Sequence, residues 1–133
     1  MDVVARHLAA IDRLRARDLP AGGAGHHTVE LETGHGLRSG DARTVDDLHA
    51  LRRAIAQRLA ARWGETPPWG QLTLRLRLAR GESIPEPWAT LCLRTDELDL
   101  WQTGDRWLAV GVADRDEGDE MQLLATVTRT APS

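Results

Sequence analysis

The sequence predicts an α+β protein in which two helices pack on one face of a mainly antiparallel sheet of four to five strands. Two segments of the first half carry apolar residues at helical spacing. The second half is a series of short segments in which apolar and polar residues alternate, separated by turn residues, which indicates a C-terminal β-meander. A chain of 133 residues is expected to fold as one domain.

The composition argues against several classes of function. All 17 basic residues are Arg, and the chain lacks Lys, Asn, Phe and Tyr, a bias that we attribute to a GC-rich bacterial genome. The net charge is −3 and no segment is densely basic, which argues against nucleic-acid binding. The first 18 residues lack the apolar core of a secretory signal, and no apolar run could span a bilayer. We therefore expect a cytoplasmic protein that does not enter the membrane.

Two helices are predicted in the first half. The first, over residues 2–18, follows from the apolar stripe Val4, Leu8, Ile11 and Leu14. The second begins after Thr44, whose hydroxyl can cap it in a T-x-x-D box, and it ends at Gly64 before two prolines. Its stripe consists of Leu48, Leu51, Ile55 and Leu59. Each stripe is expected to face the sheet.

The predicted sheet is built around a strand at Gln71–Ala79, where four leucines alternate with Thr and Arg. Its leucine face is expected to pack against the second helix. A short edge strand is predicted at residues 28–33. The other predicted strands cover residues 88–94, 97–102, 107–113 and 121–129.

The hairpin between the strands at 97–102 and 107–113 has a predicted loop of three residues, 103–105. An odd loop is needed if Leu98 and Leu100 are to share a face with Leu108 and Val110, because side chains alternate along a strand.

The outer face of the predicted sheet is the main candidate site. Alternation places there a group of Trp and Arg residues with one carboxylate: Arg75, Arg77, Trp88, Arg94, Asp99, Trp101 and Trp107. Trp and Arg are enriched in binding hot spots, so this face is expected to contact a protein partner or a second copy of the chain. Two alternatives stay open: the tryptophans belong to the core, or the sheet curls around a Trp-lined pocket.

Other motifs give weaker signals. His26, His27 and His35 lie near Glu30 and Glu32, but their spacing matches no metal-binding motif, and no metal or cofactor is expected. The glycine-rich segment 34–40 fits neither a P-loop nor a dinucleotide fingerprint, and the acidic segment 114–120 does not fit an EF-hand. The single cysteine, Cys92, is expected to be structural, and no catalytic residues are identified.

The expected function is therefore that of a small non-enzymatic accessory or regulatory protein, such as an adaptor or immunity protein, that binds another protein. The alternative is a small-molecule-binding domain or small enzyme with a Trp-lined pocket.

Overall fold

The computed structural model describes residues 3–19, 25–35, 45–66, 69–114 and 120–132. The helices are α1 Val3–Arg15, α2 Val45–Trp63, α3 Leu72–Ala79 and α4 Trp88–Arg94. The strands are β1 His26–His35, β2 Trp69–Gly70, β3 Glu97–Thr103, β4 Arg106–Ala113 and β5 Glu120–Thr128. The predicted α+β class with an antiparallel sheet and a C-terminal meander is confirmed. The proposed cap Thr44 lies outside the described residues, as do most of the segments 34–40 and 114–120.

The five strands form one antiparallel sheet in the order β1-β5-β4-β3-β2. The last three strands are the predicted meander. The predicted edge strand at 28–33 is confirmed and extends over all of β1, which pairs with β5 and has a register shift between Glu30 and Glu32. Gly64, which follows α2, has φ +93°, the left-handed conformation predicted for the end of that helix.

The two helices predicted from the first half cover one face of the sheet. Their apolar stripes are buried as expected, with Ile11 of α1 and Leu48, Ile55 and Leu59 of α2 fully enclosed. They pack on alternate residues of the meander, including Leu108, Val110, Leu123, Ala125 and Val127. This is the larger of the two apolar cores.

Two segments predicted as strands are helices, and they cover the opposite face. The predicted central strand at Gln71–Ala79 is wrong because these residues form α3, and the predicted strand at 88–94 is wrong because they form α4. Both helices pack on the sheet through a second core, formed by Leu74, Ile84, Trp88, Leu91, Cys92, Leu98, Leu100, Ala109, Ala113 and Leu124. Helices therefore cover both faces of the sheet. The alternation of apolar and polar residues along the strands does not by itself predict this second layer of helices.

The alternating leucines of α3 occupy two opposite sides of a helix. At about 100° per residue, Leu72 and Leu76 lie on one side, and Leu74 and Leu78 lie on the other. Leu74 is 2% exposed and Leu78 is partly buried against the second core. In contrast, Leu72 and Leu76 point to solvent.

The hairpin between β3 and β4 has a two-residue loop. Thr103 pairs with Arg106, and Gly104 in the loop has φ +67°, so the predicted three-residue loop is wrong. With the shorter loop, the side chains of β3 point to the opposite faces of the sheet from those predicted. Leu98 and Leu100 lie in the second core, while Leu108 and Val110 lie in the first. This register is favourable because helices cover both faces.

Among the described residues, no helix is long and apolar enough to cross a membrane.

Candidate functional site

The seven predicted site residues do not share a face. Asp99 and Trp101 lie on β3 and face α1 and α2, whereas Trp107 on β4 packs against the second core. The other four are on the helices of the opposite face: Arg75 and Arg77 on α3, and Trp88 and Arg94 on α4. The premise of a common outer sheet face is wrong, because the segments that were expected to extend it are helices.

The three arginines of that set have partners within the protein, and Arg94 Nη2 donates a hydrogen bond to Gln122 Oε1 of β5 at 3.0 Å. Arg75 Nη1 donates hydrogen bonds to the carbonyl oxygens of Cys92 and Thr95, both at 3.0 Å. It thereby joins α3 to the end of α4, where backbone carbonyls lack helical partners. Arg77 pairs with Glu82 at 3.1 Å.

Two of the three tryptophans are core residues on opposite faces. Trp88 is 1% exposed, stacks on Trp69 with ring centroids 6.4 Å apart, and donates its indole N–H to the carbonyl oxygen of Thr130. Trp101 is 3% exposed and contacts Trp63 at 6.1 Å between ring centroids. The alternative that tryptophans belong to the core is correct for these two residues.

The structure contains an open cleft of about 740 Å³ between α2 and β3. Its walls are formed by Arg52, Arg53, Ala56, Gln57, Ala60 and Ala61 from α2, Glu65 and Thr66 after it, and Glu97, Asp99 and Trp101 from β3. Of the residues predicted to line a Trp-containing pocket, only Asp99 and Trp101 do so. A cleft of this volume with a few converging polar groups is typical of a ligand site.

An ionic cluster forms the base of this cleft, in which Arg52 and Asp99 are buried and Glu97 is partly exposed. Arg52 is 5% exposed, and its Nη2 donates a hydrogen bond to Glu97 Oε1 at 3.0 Å. Its Nε lies 3.4 Å from Asp99 Oδ2, but neither of these two buried atoms has a hydrogen-bond partner. Burial raises the pKa of the Asp99 carboxyl; Arg52 opposes this rise and Glu97 adds to it.

Sequence reasoning missed Arg52 and Glu97. Glu97 lies two residues before Asp99 on β3, so strand alternation places both carboxylates on one face. Arg52 interrupts the apolar stripe of α2, four residues after Leu48 and three before Ile55, where a charged side chain must be buried. A charge at a core position was the signal that could have identified the cleft.

A second feature is a set of three exposed leucines on α3 and α4, which we call the leucine patch: Leu72, Leu76 and Leu93. Their exposed fractions are 60%, 54% and 57%, and they are the large hydrophobic residues exposed within the described part of the chain. Arg75, located between Leu72 and Leu76 in sequence, bonds to the carbonyl of Cys92, the residue before Leu93. The three leucines therefore belong to two helices held side by side.

His27, Glu32 and Cys92, three of the weaker sequence candidates, have structural partners. His27 Nε2 lies 2.9 Å from the carbonyl oxygen of Asp18, and Glu32 lies 3.2 Å from the buried His7. No group of three potential metal ligands occurs within the described ranges. The Cys92 thiol is fully buried and donates to the carbonyl oxygen of Ala89 at 3.1 Å; burial raises its pKa, against the opposing effect of Arg75. A thiol in this environment is a poor nucleophile.

Comparisons with protein-family models, curated proteins and solved structures find no match to this chain.

Proposed function

We propose that the protein is a small non-enzymatic accessory protein that binds another protein through the leucine patch. The observation that supports this proposal is the exposure of Leu72, Leu76 and Leu93 by more than half on two adjacent helices. Single exposed leucines are ordinary, whereas three on two adjacent helices favour a protein contact surface, because large exposed apolar areas are uncommon on monomeric proteins. We keep the protein-binding function that was expected from the sequence, but we place the binding surface on α3 and α4 and not on the sheet.

The charge around the leucine patch favours a different protein over a second copy. Residues 72–94 contain four Arg and two Glu, a net charge of +2, in a chain whose net charge is −3. A two-fold symmetric contact would place this basic segment against itself. A partner whose binding surface has an apolar centre surrounded by carboxylates would instead complement both the leucines and the arginines.

Affinity capture with matched variants tests this proposal. We would immobilise the wild type, the double variant L72S/L76S and the control A50S, which makes an exposed helix position polar on α2. Proteins retained from the source cell would be identified by mass spectrometry, purified, and titrated against each variant by calorimetry. Because the substituted leucines are exposed, all three proteins should have the same melting temperature.

We expect a purified partner whose Kd is raised about tenfold or more by L72S/L76S and is unchanged by A50S. Its affinity should also fall with added salt, because carboxylates would face the arginines. Equal affinity for the double variant would overturn the proposal. It would also be overturned if the wild type formed a dimer in sedimentation experiments and L72S/L76S formed a monomer.

A further inference from the structure

We infer that the cleft between α2 and β3 is a second binding site, which holds a guanidinium or alkylammonium group. This inference does not depend on the leucine patch, since the cleft lies on the opposite face of the sheet.

The charge balance of the cleft favours a cation. At its base, two carboxylates, Glu97 and Asp99, face one guanidinium, that of Arg52. At its rim, Arg53 and Glu65 offset each other, so the lining residues sum to −1. A ligand with one positive charge would neutralise this excess, whereas an anion would increase it.

The polar groups of the base are incompletely paired. Asp99 is 8% exposed, and its Oδ2 has no hydrogen-bond partner, although Arg52 Nε is only 3.4 Å away. A buried carboxylate without its hydrogen bonds is costly in free energy, and charged donors from a ligand would reduce that cost. Oδ2 is itself enclosed beside Arg52, but Asp99 is among the residues that line the cleft, so a cation bound there would lie close to this carboxylate and lower the cost of its charge.

The walls fit an apolar chain attached to the cation. Ala56 and Ala60 lie one helical turn apart on α2, and the indole of Trp101 forms part of the opposite wall. Glu97 and Asp99 project from the same face of β3 and can accept several N–H donors together, as a guanidinium requires. The ligand class is therefore an alkylguanidine or alkylamine, either free or as an Arg or Lys side chain of a peptide.

Chemical-shift titration of the ¹⁵N-labelled full chain tests the inference directly. Three probes are needed: n-butylguanidine, which carries a single positive charge, the blocked peptide acetyl-Gly-Arg-Gly-amide, and glutarate as an anionic control. We expect n-butylguanidine or the peptide to bind with a Kd of about 1 mM or lower and to shift the amides of Glu97, Asp99 and residues 52–61. The tighter of the two cationic probes tells whether the site prefers a free compound or a protein side chain.

Two isosteric variants and a control complete the experiment. Glu97→Gln affects a side chain that is 43% exposed, so it should fold normally, and Asp99→Asn preserves the shape of the buried group. Each should weaken binding of the cationic probe about tenfold, while Glu82→Gln on the opposite face should have no effect. The inference is overturned if neither cationic probe binds, if both variants bind as well as wild type, or if glutarate binds more tightly than n-butylguanidine.

Discussion

The indole N–H of Trp101 donates a hydrogen bond of 3.0 Å to the carbonyl oxygen of Gly64. Gly64 directly follows α2, and its own N–H bonds back to the carbonyl oxygen of Ala60 at 2.8 Å. The ring of Trp63 packs beside the same indole and holds the guanidinium of Arg15 at 4.5 Å from its centroid. Trp101 therefore connects the sheet to the end of α2 and, through Trp63, to the end of α1.

Trp101→Ala should destabilise the protein strongly. The side chain is 3% exposed, and its removal leaves a large cavity beside α2 and an unpaired carbonyl oxygen. We expect a loss of about 3–5 kcal/mol in the free energy of unfolding, measured by urea denaturation. An unchanged denaturation midpoint would show that Trp101 is a surface residue, as the predicted sheet face required.

Arg75→Met should lower stability by separating α3 from the end of α4. Methionine preserves most of the apolar length but removes the two hydrogen bonds to the carbonyls of Cys92 and Thr95. We expect a loss of about 2 kcal/mol, because hydrogen bonds from charged donors are the stronger ones. The control is Arg80→Met, whose side chain is 68% exposed and should contribute at most about 0.5 kcal/mol. Equal effects of the two substitutions would contradict this role.

Gly111→Ala should be destabilising because β3 and β4 approach closely at this residue. A Cβ at Gly111 would lie 2.6 Å from Leu98 Cδ2, and Leu98 is 1% exposed and cannot move into solvent. We expect a loss of about 1–3 kcal/mol from overpacking, measured by thermal or urea denaturation. Combining it with Leu98→Val should cost less than the sum of the two single changes; full additivity would refute the steric explanation.

Asp99→Asn should change how stability depends on pH. Burial is the main cause of the raised pKa of Asp99, so the folded state binds the proton of this carboxyl more tightly than the unfolded state does. A carboxyl whose pKa is higher in the folded state stabilises the fold below its unfolded pKa and loses that contribution as pH rises through the folded pKa. Relative to Asp99→Asn, the wild type should therefore become more stable as pH falls from 7 to 4.

Urea denaturation of both proteins at several pH values measures this difference, and titrations common to both cancel in the comparison. The charged groups nearest Asp99 are Arg52 and Glu97, and Glu97→Gln would separate its contribution. A wild type that loses stability relative to Asp99→Asn on acidification would indicate a lowered pKa, and would contradict the cleft electrostatics.

Much of the fold follows from local patterns, and the exceptions have a physical cause. The stripes of α1 and α2 predict helices and the alternation in β4 and β5 predicts strands, because in each element the large apolar residues recur at the period of that structure. The leucines of residues 72–78 fit a strand or a helix equally well, since either conformation exposes only part of them. Their helical state depends on covering the second face of the sheet, a tertiary requirement that no local pattern encodes.

The candidate site was predictable only in part for the same reason. The two-residue loop at Gly104 sets which face of β3 meets α2, and thereby places Asp99 beside Arg52 and Trp101 in the wall of the same cleft. Their shared strand face follows from sequence spacing, but the helix opposite them does not. The leucine patch likewise becomes visible only when α3 is known to be a helix.

Hydrogen–deuterium exchange of the protein with and without its captured partner tests the proposed binding surface most directly. We predict slower exchange in the partner complex over residues 72–79 and 88–94, with little change in β1 or in residues 45–63. The same protection should be absent when L72S/L76S is mixed with the partner at the same concentration. Protection confined to β1 or α2, with α3 and α4 unchanged, would contradict the assignment of the leucine patch as the partner-binding surface.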